Sequence, residues 1–153
     1  MINCSLIHYC LTYCVNVWSS TYWTNFKTAC TAQKRSVRTL FATAQQPHSR
    51  DIFNAKILPL DKLINQQEGI LSYKVINGAY LLNDFLNHGD AEHQIQLRNG
   101  GDLRVPLYAA TQCQLFVRYR AINTWNGLSG DFRSSSSLCT FKNKLRQLYL
   151  SLS

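Results

Sequence analysis

Tyr22–Ala44 reads YWTNFKTACTAQKRSVRTLFATA, and this stretch decides the fold class. Phe26, Cys30, Gln33, Val37, Leu40 and Ala44 recur every three or four residues, so they share one helical face, with Phe41 beside them. Lys27, Lys34, Arg35 and Arg38 fall off that stripe on one adjoining side. A helix patterned this way buries one face and presents positive charge from another. Ser19, Ser20 and Thr21 offer caps before it, and Gln46-Pro47-His48-Ser49 breaks the chain after it.

The same period extends in both directions. Upstream, Leu6, Tyr9, Cys10, Tyr13 and Val17 form one face of a shorter helix. Downstream, Ile52, Phe53, Ile57 and Leu58 mark an apolar connection, and Pro59 or Asp61 starts another helix. Leu63, Ile64, Ile70, Leu71 and Val75 are its buried side. Gly69 weakens it, and Asn77-Gly78 stops it. A short helical turn is expected at Leu81–Leu86. From Asn87 to Asp102 the chain turns polar and contains Gly89, Gly100 and Gly101, as a connector does. Leu103, Val105 and Leu107 alternate like a short strand, which Pro106 confines to an edge or an end. Phe116–Leu128 begins extended and finishes helical. In the last segment Leu138, Phe141, Leu145, Leu148 and Leu152 form a stripe behind Ser134–Ser137, where a serine can cap the helix.

The expected fold is therefore mainly α: a small helical bundle, a polar connector, and a C-terminal tail with a short strand and a terminal helix. The regions are residues 1–86 (helical), 87–112 (connector with a possible edge strand) and 113–153 (basic-aromatic tail and terminal helix).

Bulk properties narrow the function classes. Hydrophobic residues make up 46% of the 153 and aromatics 12%, enough for a packed core and unlike a disordered chain. Sixteen Lys and Arg against eight Asp and Glu give a net charge of +8, so many cations lack an acidic partner in the sequence. Such a surplus points to an anionic partner. The apolar run Leu6–Trp18 falls short of the roughly 20 residues that span a bilayer. The N-terminus carries no basic n-region or A-x-A pattern, so the expectation is an intracellular protein, not a secreted one. The cysteines at 4, 10, 14, 30, 113 and 139 are then expected as reduced, mostly buried thiols. Free-thiol counting separates this from an oxidised, secreted reading.

Four elements in order carry a family resemblance. Leu11-Thr12-Tyr13-Cys14 is followed by Val17-Trp18-Ser19-Ser20-Thr21-Tyr22, then Gln33-Lys34-Arg35-Ser36-Val37-Arg38, then His93-Gln94-Ile95-Gln96-Leu97-Arg98. Last comes Phe116-Val117-Arg118-Tyr119-Arg120-Ala121, leading into Trp125-Asn126-Gly127-Leu128 and a closing Phe141-Lys142 helix. This order resembles the C-terminal region of reverse transcriptases from non-LTR retrotransposons: L-T-Y-C, V-W-G-S-T-Y, Q-K-R-A-V-R, H-x-Y-x-T-R, F-R-Y-R-G, W-N-x-L-P and F-K-x-x-L-K. Cys10 stands where that family commonly has proline, Ser19 and Ala121 where it has glycine, Ile95 where it has tyrosine, and Ser129 where it has proline. The resemblance implies a thumb-like helical region plus a post-polymerase tail, cut from an RNA-directed DNA polymerase whose palm domain lies elsewhere.

Polymerase chemistry needs clustered carboxylates holding two divalent metals about 3.5–4 Å apart. Asp51, Asp61, Asp84, Asp90, Asp102 and Asp131 are dispersed, and no Asp-Asp pair occurs. Catalysis and its Mg²⁺ are thus implied for the parent enzyme, with no cofactor or small-molecule substrate for this chain. Lys27, Lys34, Arg35 and Arg38 are the candidates for tracking phosphates of RNA or an RNA–DNA duplex. Their bland reading is a solvated helix face. Arg118 and Arg120 are further phosphate candidates, with Tyr119 and Trp125 as base-stacking groups or as anchors of the tail on the core. Lys142, Lys144 and Arg146 flank a buried stripe. Cys10 and Cys14 lie one turn apart, but no Cys-x-x-Cys or compact His pair supports zinc, and no membrane partner is expected. The alternatives are a non-catalytic protein-interaction module and a non-functional relic of a mobile element.

Overall fold

The computed structural model describes residues 8–41, 57–78, 102–106 and 110–152. These residues are mainly helical and contain no strand. Residues 8–12 are helical. They are followed by α1 (Val15–Trp18), α2 (Trp23–Phe41), α3 (Leu60–Ile76), a 3-10 turn (Thr111–Leu115), α4 (Val117–Asn126), α5 (Gly130–Arg133) and α6 (Leu138–Ser151). The expected turn at Leu81–Leu86, residues 87–101 of the expected connector, and Leu6, Ala44 and Leu107 of the expected stripes lie outside the described residues.

Two compact units divide the chain: residues 1–67 with 146–153, and residues 68–145. Helices α3 and α6 each give residues to both.

In the first unit, α2 follows its expected pattern. Gln33 and Val37 are buried, Phe26 and Cys30 half-buried, and Lys27, Lys34, Arg35 and Arg38 exposed. The buried Gln33 amide is satisfied by donating from Nε2 to the Leu58 carbonyl at 3.0 Å, as a buried polar group requires. Leu58, Leu60, Leu63 and Ile64 are also buried, and Tyr149 near the end of α6 joins them in this unit's interior. Helix α3 starts at Leu60, with the Pro59 carbonyl accepting from the Leu63 amide at 2.9 Å and Asp61 in the first turn. A carboxylate there suits the positive end of the helix.

The N-terminal face is a correction. Tyr9 and Tyr13 are 67% and 66% exposed, Val17 is 73% exposed, and Cys10 is exposed as well. Val15 and Ser19 are buried instead. Cys14, whose φ of 48° places it in the left-handed region, breaks the helix before α1. Across that break the spacing of three and four no longer relates Val17 to the residues before it. The break is bridged by Trp18, whose Nε1 donates to the Tyr13 carbonyl at 2.9 Å.

In the second unit, α3, α4 and α6 enclose a small, dense interior. Ala121, Ile122, Phe141 and Leu145 are fully buried. Gly69 explains why a poor helix former sits inside α3: a Cβ there would stand 3.1 Å from Leu145 Cδ1 and 3.8 Å from Thr124 Cγ2. The helix-propensity cost of about 1 kcal/mol is accepted for close approach. Ser72, fully buried, directs its hydroxyl between the Glu68 carbonyl (3.1 Å) and the Ala121 carbonyl (3.0 Å). Tyr73 stacks on Phe141 with centroids 4.5 Å apart and donates its hydroxyl to the Ser135 carbonyl at 2.8 Å. Helix α3 ends as expected: Gly78 takes a φ of 71°. The Ser137 hydroxyl accepts from the Thr140 amide at 3.2 Å and so caps α6.

The strand expected around Leu103–Leu107 is a second correction, for residues 102–106 pair with no strand. A side chain takes the partner's place. Asn126 donates Nδ2 to the Leu103 carbonyl at 2.7 Å, and its Oδ1 accepts from the Leu103 amide at 2.8 Å. Leu103 and Val105 then pack on Val75 and Ile122.

Candidate nucleic-acid interface

The two basic groups separate. On α2 the cations stand clear of the buried stripe, because Gln33 and Val37 turn inward and the intervening residues turn outward. The Gln33–Arg38 element thus has two jobs: an amide and a valine hold the helix, and Lys34, Arg35 and Arg38 face solvent. Among the described residues no carboxylate pairs with Lys27, Lys34 or Arg35. An open depression of about 600 Å³ runs along this helix, and Thr24, Lys27, Thr28, Thr31, Arg35 and Ser36 are among its lining residues. Over twelve residues α2 rises about 18 Å.

The hydroxyls on this face were not singled out in the sequence, because threonine is neutral and disfavoured inside a helix. Two satisfy themselves locally: Thr28 Oγ1 donates to the Thr24 carbonyl at 3.2 Å and Thr31 Oγ1 to the Lys27 carbonyl at 2.9 Å. Such back-bonding is the ordinary way a helix tolerates threonine.

In the second group Arg120 and Trp125 are engaged by other residues of the fold. Arg120 Nη2 lies 2.8 Å from Oε1 of Glu68, whose side chain is only 2% exposed. Thr124 donates its hydroxyl to the other carboxylate oxygen at 3.1 Å. Burial pushes the Glu68 carboxyl above its ordinary value, with Arg120 and then Thr124 opposing. Trp125 is 4% exposed, with its ring 6.1 Å from Phe141, so it is an anchor and offers no face for a base. Arg133 lies 6.0 Å over that ring. It also donates to Asp102 Oδ1 (2.6 Å) and to the Asn126 carbonyl (2.7 Å). Arg118 and Tyr119 are half-buried, whereas Phe116 is exposed. The Trp125–Leu128 element is thus a junction: an inserted ring, an amide clamp and a buried leucine. Lys144 donates to the Asp131 carbonyl at 2.8 Å, while Lys142 and Arg146 are exposed.

Among the described residues no three His, Cys, Asp or Glu side chains converge as metal ligands, and Asp102 is engaged by Arg133. Asp51, Asp84 and Asp90 lie outside the described residues. The thiols correct another expectation. Cys10, Cys14 and Cys139 are exposed, Cys30 and Cys113 half-buried, and all five are free. Burial raises the Cys30 thiol, the Asp61 carboxylate adds to this and Lys34 opposes it, so Cys30 is a poor nucleophile. Among the described residues no helix is long and apolar enough to cross a membrane. No protein-family model, curated protein or solved structure matches the chain.

Proposed function

We propose that this chain is the thumb-like, post-polymerase part of a non-LTR retrotransposon reverse transcriptase, gripping RNA or an RNA–DNA duplex while a palm domain elsewhere performs the chemistry. The observation that carries this reading is α2. It exposes Lys27, Lys34, Arg35 and Arg38, of which Lys27 and Arg35 line an open depression, and its inward face is fixed by Gln33 and Val37. Cations at helical spacing meet successive phosphates and release counterions, which binds polynucleotides without sequence preference. Two departures from the family pattern fit locally. Ala121, where the family has glycine, is a fully buried small residue beside Ser72. Ser129, where it has proline, takes a φ of −68°, the value proline would impose. Arg118, Arg120, Tyr119 and Trp125 belong to the body of the protein in this reading.

The test is charge reversal of Lys34, Arg35 and Arg38 to Glu, with binding of RNA and RNA–DNA duplex followed against salt. Weaker binding and a flatter salt slope are expected. Unchanged binding removes α2 as the interface. The protein alone is expected to incorporate no nucleotides on a primed template with Mg²⁺ present.

A protein-interaction module is the second reading, favoured by the exposed Tyr9, Tyr13 and Val17. Self-association that is insensitive to salt, without RNA binding, supports it over the first.

A further inference from the structure

The hydrogen bonds on the α2 face add chemistry that charge alone does not. A threonine hydroxyl has one proton to give and two lone pairs to receive. Thr28 and Thr31 have each given that proton to a carbonyl of their own helix. What they present to the depression is therefore acceptor only. A phosphate oxygen, itself an acceptor, gains nothing from them. A ribose 2′-hydroxyl, which can donate, does, and this group is what separates RNA from DNA at a binding site. Lys27 and Arg35 line the same depression and supply the charge for phosphates. Thr28 and Thr31, three residues apart, share one side of the helix.

We infer that the α2 depression selects an RNA strand over a DNA strand: Lys27 and Arg35 hold its phosphates while the Thr28 and Thr31 hydroxyls accept from its 2′-hydroxyls. This inference rests on the nucleic-acid reading above and deepens it by naming which strand of a hybrid duplex faces α2. The two interactions separate cleanly, because the cations act on any polynucleotide and the hydroxyls only on one carrying a 2′ proton.

The experiment uses the full chain and three short single strands of one sequence: RNA, DNA and 2′-O-methyl RNA, which keeps the ribose oxygen but has no proton to donate. The native protein binds RNA roughly tenfold tighter than either of the others, the sum of two modest hydrogen bonds. In the double variant Thr28→Val with Thr31→Val, RNA affinity falls to the DNA level, while DNA affinity and the salt slope stay as they were. Unaltered DNA binding also certifies that the variant is folded. Thr28→Ser with Thr31→Ser restores the RNA preference. Equal affinity of the native protein for RNA and DNA overturns the inference and leaves the cationic grip standing. So does a preference that survives in the valine variant. Failure to bind any of the three overturns this inference and the proposed function together.

Discussion

Arg120 on α4 and Glu68 on α3 form an ion pair at 2.8 Å in which the carboxylate is almost wholly withdrawn from water. The partners are unequal, since Arg120 keeps partial access to solvent and Glu68 does not. Removing the arginine therefore harms the protein more than the attraction itself is worth, because it strands a buried carboxyl. Arg120→Met is expected to lower the unfolding free energy by about 3 kcal/mol. The double variant Arg120→Met with Glu68→Leu is expected to recover most of it. Urea unfolding midpoints of the two variants check this, and a double variant as weak as the single one contradicts it.

The raised Glu68 carboxyl has a defined effect on pH dependence. In the folded state the group holds its proton to higher pH than in the unfolded chain. The folded state thus binds more protons across the window between the two values, and stability falls as pH rises through it. The Glu68 contribution is greatest below the ordinary carboxylate range and is lost above the folded value. Glu68→Gln should flatten this part of the stability–pH profile. In Arg120→Met the loss of the opposing charge raises Glu68 further, so the decline should extend to higher pH. Urea titrations between mildly acidic and neutral pH read both slopes.

Gly69 gives a prediction decided by two opposing magnitudes. Alanine gains about 1 kcal/mol of helix propensity. Its Cβ, however, meets Leu145 Cδ1 at 3.1 Å, and Leu145 is fully buried with little room to move. Overpacking a tight site costs about 1–3 kcal/mol. Packing outweighs propensity, so Gly69→Ala is expected to destabilise by about 1 kcal/mol and Gly69→Val by more. Shortening the neighbour tests the cause: Leu145→Val should cost less in the Gly69→Ala background than in the native one.

Cys14 holds a left-handed backbone that suits glycine better than any other residue. Relief of that strain is worth about 1 kcal/mol, partly offset by the greater freedom of glycine in the unfolded chain. Cys14→Gly should raise the thermal midpoint by about 1–2 °C. Cys14→Val, branched at Cβ, should lower it. A valine variant as stable as the native chain would sink the account of the helix break.

The helices were legible where polarity and burial agree. On α2 the stripe through Cys30, Gln33 and Val37 is inward and the cations are outward, as spacing requires. Pro59, Asp61 and Gly78 punctuate α3 where expected. Legibility failed where a polar group is satisfied by a distant partner. Glu68 and Ser72 are polar, yet both are buried, because Arg120, Thr124 and the Ala121 carbonyl meet them. On α6, Tyr149 is buried while Leu152 is 60% exposed. A stripe of leucines misplaces the face once a tyrosine serves as the apolar residue. On the N-terminal face the spacing did not tell the buried side from the exposed one, and the left-handed Cys14 that interrupts it is reported by no hydrophobic pattern. For the candidate interface, charge and spacing picked out the α2 cations. They did not separate these from Arg120, which differs only in having a buried carboxylate opposite.

The single rung that Asn126 makes with Leu103 also bears on what a change at one position does to the folded protein. One amide substitutes for a neighbouring strand, and few other side chains offer a donor and an acceptor at that reach. A replacement at position 126 leaves both backbone groups of Leu103 unsatisfied on a hydrophobic stretch, which is an invitation to pair with the same stretch of another molecule. Clumping from the otherwise folded state is then the expected consequence of losing that amide.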